Sequence, residues 1–152
     1  MNIAESLYPK VLKIIEDYEE FVDENGDEDD SEYQRISNLL HEMTGKDMTR
    51  YNLYETWEAE GPEVLSFRIS LPDPILVNDI TDGELIEILK RIKKGGYPTG
   101  EEESFRDIFG FYLDDYYHSF LKLNFKKYDY KYFIGQKDGK FFTVEEIAQK
   151  IK

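Results

Sequence analysis

The sequence predicts an α+β fold: a mostly helical single domain over residues 1–152, with about five helices and a small antiparallel three-stranded sheet. Three observations predict it. Apolar residues recur at three- and four-residue steps over several long stretches, the period of an amphipathic helix. Two Thr-x-x-Glu motifs, Thr81 with Glu84 and Thr143 with Glu146, precede apolar runs and read as capping boxes. Strand patterning is confined to a strict alternation at 64–71 and two short runs around a Lys-Asp-Gly turn near the C-terminus. A chain of 152 residues is long enough for one domain with a real core.

The first helix is expected from about residue 6 to 21 or a little beyond. Leu7, Val11, Ile14, Ile15, Tyr18, Phe21 and Val22 form its stripe. Ser6 reads as its N-cap, and Pro9 falls in the first turn, where a missing amide is tolerated. Asn25-Gly26 then carries turn chemistry. A second helix starts at about Ser31, with Tyr33, Ile36, Leu39, Leu40 and Met43 at helical spacing, and Gly45 stops it. Asp47 can cap a third helix through about residue 58, with Met48, Tyr51, Tyr54 and Trp57 on one side. Tyr51, Leu53, Glu55 and Trp57 also fit the alternation of a strand, so both readings of this segment stay open.

Gly61-Pro62 ends that element. Residues 64–71 read as a strand, with Leu65, Phe67, Ile69 and Leu71 on one face and Ser66, Arg68 and Ser70 on the other. Pro72 and Pro74 close it. Thr81 opens a helix carrying Leu85, Ile88, Leu89 and Ile92. Its basic last turn complements the helix dipole, and Gly95-Gly96 ends it.

A polar loop then leads into the densest aromatic segment, residues 105–125. Phe105, Ile108, Phe109, Tyr112, Leu113, Tyr116, Phe120 and Leu121 make one wide stripe, expected to be the post on which other elements pack. Asp107, Asp114, Asp115, His118 and Lys122 take the other face. Gly110 splits the segment into a short helix and a longer one over about 111–124. The C-terminus reads as a strand at 131–134, a turn at Lys137-Asp138-Gly139, a strand at 140–142 and a short helix bearing Ile147 and Ile151.

The formal net charge is −14, from 33 acidic and 19 basic side chains. A field of that sign repels nucleic acid and anionic membrane and attracts basic surfaces. It is uneven: residues 1–121 hold 29 acidic and 11 basic side chains, residues 122–152 four and eight. With no cysteine there is no disulfide framework, thiolate metal site or thiol nucleophile. Residues 1–15 lack the apolar core of a signal peptide, and no apolar run approaches the roughly 18 residues of a membrane span. The expected location is the cytoplasm.

Chemical motifs fail when tested. Residues 16–32 hold eleven acids and no base. Read as a calcium loop from Asp23, the sixth position is Glu28 where glycine is needed, and the twelfth is Gln34 where glutamate is needed. Asp114 and His118 lie four apart on one helical face, with Asp115 adjacent, a pair that can ligate metal or exchange protons. One pair is not a site. His41, the other histidine, sits in HEMT, without the second histidine of a zincin helix. There is no G-x-S-x-G elbow, and GGYPTG lacks the lysine of a P-loop. No catalytic residue, cofactor or metal ligand is assigned, and the chain is not expected to be an enzyme. A small enzyme built on Asp114, Asp115 and His118 is the alternative, and it requires a cleft there.

The acidic run reads either as a solvated loop or as a docking surface for a basic protein partner. Its acids begin on the first helix, which fixes part of the charge to a rigid element and favours recognition. The candidate partner-binding residues are Glu20, Asp23, Glu24, Asp27, Glu28, Asp29, Asp30 and Glu32, with Asp114 and Asp115. The lysines at 122–140 interleave with Tyr128, Tyr130 and Phe133, a pattern that reads as internal charge complementarity or a dimer contact in so acidic a chain.

In size, charge, absence of cysteine and absence of a catalytic motif, the chain resembles the small acidic immunity proteins of bacterial toxin–immunity systems, including contact-dependent inhibition. The resemblance is one of overall character along the whole chain and assigns no residue. It implies a cytosolic antidote to one cognate toxin domain, commonly a nuclease. A nucleic-acid mimic, or a regulatory protein filling a nucleic-acid-binding cleft, is the alternative within the same field.

Overall fold

The computed structural model describes residues 2–54, 56–95 and 104–152. Most of the polar loop expected before the aromatic segment, including Tyr97, lies outside the described residues, as does Glu55. The side chains of Trp57 and Asp107 also lie outside them. Helix dominates the described residues, and the sheet among them is one two-stranded antiparallel pair. The chain falls into two compact units, residues 1–72 and 73–152.

In the first unit, α1 (Asn2–Asn25) and α2 (Ser31–Thr44) are followed by a 3₁₀ turn (Met48–Arg50), α3 (Thr56–Ala59) and α4 (Pro62–Ser70). The helix α1 begins four residues earlier than expected because its buried stripe begins at Ala4 and continues through Val11, Ile15 and Tyr18. Pro9 therefore lies inside the helix, and Ser6, expected as the N-cap, donates its hydroxyl to the Ile3 carbonyl at 3.0 Å. The bounds of α2 match the sequence reading, with Gly45 left-handed at φ 71°. The expected third helix resolves into a 3₁₀ turn capped by Asp47 and the separate short α3.

The strand expected at 64–71 is the helix α4. Pro62 occupies its first turn, a position where the missing amide costs nothing. Leu65 and Ile69, four apart, join Val11, Ile15, Tyr18, Ile36 and Leu40 in the core. The alternation misleads because the serines are buried as well. The Ser66 hydroxyl bonds the Pro62 carbonyl at 2.5 Å and the Ser70 hydroxyl bonds the Ser66 carbonyl at 2.7 Å. A serine satisfied by its own helix needs no solvent face.

The second unit holds α5 (Asp82–Lys94), α6 (Phe105–Phe109), a 3₁₀ turn (Gly110–Leu113), α7 (Asp114–Asn124), α8 (Lys131–Ile134), β1 (Gln136–Lys137), β2 (Lys140–Phe141) and α9 (Val144–Ile151). Its core is Leu85, Leu89, Leu121, Ile147, Ala148 and Ile151, contributed by α5, α7 and α9. The aromatic segment is not the single post expected. The 3₁₀ turn after Gly110 has three residues per turn, which rotates the stripe out of phase. Phe109, Leu113 and Leu121 are buried, while Ile108 and Tyr112 are exposed.

The strand expected at 131–134 is the helical turn α8. The hairpin starts at Gln136, pairs Lys137 with Lys140, and turns through Asp138 and Gly139, both at positive φ. That is the primed turn a two-residue hairpin favours. Both expected capping boxes form, at Thr81 with Glu84 and Thr143 with Glu146. No helix among the described residues is long and apolar enough to cross a membrane.

Candidate functional site

The acidic run is a tight turn between two helices. The chain leaves α1 at Asn25 and enters α2 at Ser31, and the first backbone N–H groups of α2 need acceptors from outside the helix. Asp27 supplies two: its carboxylate accepts from the N–H groups of Glu32 at 3.2 Å and Tyr33 at 2.8 Å. Asp29 accepts from Ser31 N–H at 3.1 Å, and the Asp30 carbonyl accepts from Gln34 N–H at 3.0 Å. Negative charge at a helix N-terminus is also favoured by the helix dipole. The hydrogen bonds from Ser31 hold the Asp29 carboxyl below its usual range.

The turn is locked to α1 as well. The Tyr18 hydroxyl donates to Asp27 at 3.1 Å, and its ring meets the Tyr33 ring edge-on at 5.9 Å. Burial, and then the bond to Asp27, raise the Tyr18 hydroxyl far above the ordinary tyrosine range, so it stays a donor. Of the acids assigned to partner binding, Asp27 and Asp29 thus hold the turn, and Glu32 pairs with Arg35. Glu20, Asp23, Glu24, Glu28 and Asp30 are exposed, and their carboxylates make no hydrogen bond or ion pair among the described residues. Phe21 stands among them on α1 and is 36% exposed.

Charge divides sharply between the units. Residues 1–72 carry 18 acidic and 6 basic side chains, a balance of −12. Residues 73–152 carry 15 and 13, a balance of −2.

Asp114, Asp115 and His118 lie in the second unit, on α7. Asp115 is exposed. Asp114 and His118 line an open cleft of about 410 Å³. His118 Nε2 faces the Asp114 carboxylate at 3.4 Å, and its Nδ1 is bonded to the Tyr128 hydroxyl. Burial, with the Asp114 charge behind it, pushes the Tyr128 hydroxyl up to about 12, so Tyr128 is a proton donor at neutral pH. Its O–H can donate a hydrogen bond to Nδ1, and the tautomer that accepts it carries the ring's own N–H at Nε2, toward Asp114. Tyr130 and Phe133 pack on the same ring, each with centroids 5.0 Å away.

Both ring nitrogens are therefore engaged, an arrangement that fixes the imidazole as part of a wall more than it frees it as a base. Among the described residues, no group of three or more His, Asp or Glu side chains is placed to hold a metal ion. The aromatic partners of His118 were legible only as residues interleaved with lysines. Their convergence depends on the turn between α7 and α8. Lys46 was missed altogether: its ammonium is buried and donates to the Arg68 carbonyl at 2.7 Å, in the last turn of α4.

No family model matches the chain, and neither the curated proteins nor the solved structures contain a match to it.

Proposed function

We propose that the protein is an inhibitory binding module: a cytoplasmic antidote that docks one basic protein partner and acts by occlusion, not by turnover. The partner class that fits best is a toxin domain of nuclease type, whose active site is positively charged because it handles phosphate. The observation that carries this reading is the locked acidic turn. Asp27 spends its charge fixing α1 to α2, and Glu20, Asp23, Glu24, Glu28 and Asp30 are left exposed on that rigid frame. Charges already held in place lose little entropy on binding, and a field of one sign speeds encounter with the opposite sign. Phe21 supplies an apolar anchor within the acidic surface.

The test is co-expression with the basic product of the neighbouring gene. An antidote restores growth to cells making that product and co-purifies with it. Neutralising Asp23, Glu24, Glu28 and Asp30 together should abolish rescue while the variant stays folded. Rescue that survives this change removes the acidic turn as the docking surface. Binding to many DNA-binding proteins in place of one partner would identify a nucleic-acid mimic.

A further inference from the structure

The cleft beside His118 supports a separate inference. Two of its lining groups carry opposite charge: the Asp114 carboxylate in the first turn of α7 and the Lys93 ammonium in the last turn of α5. Neither is exhausted by its internal contacts. Asp114 turns one oxygen to His118 and its side chain is 48% exposed, so the second oxygen can accept from a ligand. Lys93 donates to the Phe142 carbonyl, and an ammonium has three N–H donors.

The rest of the wall is apolar or aromatic. Phe133 packs on His118, while Tyr130, Ile134 and Phe141 stand 54%, 59% and 59% exposed. Large apolar side chains left open to water around a concavity are what a bound hydrocarbon body covers. The volume, about 410 Å³, falls within the range of about 300–1,000 Å³ found for small-molecule sites. Electrostatics then selects the ligand. A simple cation is attracted by Asp114 but repelled by Lys93, and a simple anion meets the reverse. A molecule bearing both charges satisfies both groups.

We propose that this cleft binds a small zwitterion with an apolar body, of which an aromatic α-amino acid is the simplest member. The ligand ammonium pairs with Asp114, the ligand carboxylate pairs with Lys93, and the hydrocarbon body lies on Tyr130, Phe133 and Phe141.

The test uses the full chain and a matched ligand series read by amide chemical shifts: L-phenylalanine and L-tryptophan, phenylalaninamide without the carboxylate, and 3-phenylpropionate without the amine. The expected result is saturable shifts at His118, Tyr130 and Phe133 with the amino acids, and binding at least about ten-fold weaker with either truncated ligand. Asp114→Asn should erase the preference for the amine, and Lys93→Met the preference for the carboxylate. The ligand series on the unmodified chain decides the matter even if a variant folds poorly. No saturable shift by about 10 mM of either amino acid, or equal binding by the truncated ligands, overturns the proposal.

Discussion

Tyr18 donates its hydroxyl to the Asp27 carboxylate across 3.1 Å, and the same carboxylate caps α2 through the N–H groups of Glu32 and Tyr33. One acid therefore joins two helices. Asp27→Ala should cost about 0.5–2 kcal/mol, the usual range for losing a helix cap. Neutralising Asp23, Glu24 or Glu28 singly should change stability by no more than about 0.5 kcal/mol, as expected for exposed positions. Urea unfolding of the five proteins, wild type included, checks the contrast.

Lys46 offers a second test in the first unit. Its buried ammonium bonds the Arg68 carbonyl and the Tyr51 hydroxyl. Lys46→Met leaves a carbonyl at the end of α4 without its charged donor and should destabilise by about 1–3 kcal/mol. Lys13→Met removes only the exposed, solvent-screened pair with Asp17 and should leave stability nearly unchanged. Thermal unfolding of both variants distinguishes them.

Glu84 predicts a pH dependence. Its carboxyl is held below the usual glutamate range, first by the Thr81 backbone N–H and then by the Thr81 hydroxyl. A depressed folded value means that the capping box contributes stability above the unfolded value and loses it as pH falls through the folded one. The difference in Tm between wild type and Glu84→Gln should therefore be constant near neutral pH and shrink progressively as acid carries the solution through the carboxylate range and past the depressed folded value. A difference that persists in acid would show that the carboxylate charge is not what stabilises the α5 N-terminus.

The elements that sequence made legible are those whose determinants lie close together. Thr81 with Glu84 and Thr143 with Glu146 are three residues apart, and Asp138-Gly139 is a complete turn by itself. The stop of α2 at Gly45 is equally local. The failures turn on packing, or on a local change of helix geometry, that the hydropathy pattern does not carry. Residues 64–70 alternate like a strand, yet Ser66 and Ser70 are satisfied within a helix that packs against α1. The aromatic stripe loses phase at a 3₁₀ turn that periodicity alone does not contain. At the acidic turn, composition marked the surface but could not separate Asp27 and Asp29, turned onto α2, from their exposed neighbours. The pairing of Asp114 with His118 was visible as a four-residue spacing, while Tyr128 reaches the ring only through the fold.

On the proposed function, the exposed carboxylates at the end of α1 and in its turn to α2 steer a basic partner onto the first unit. This steering is tested most directly by the association rate with the neighbouring gene product, compared between two sets of four neutralisations. One set is Asp23→Asn, Glu24→Gln, Glu28→Gln and Asp30→Asn. The other is Asp79→Asn, Glu87→Gln, Asp138→Asn and Glu145→Gln, in the second unit. The first set is expected to slow association at least about ten-fold and flatten its salt dependence, while the second leaves both nearly unchanged. Equal slowing by the two sets, or slowing by the second alone, contradicts the steering.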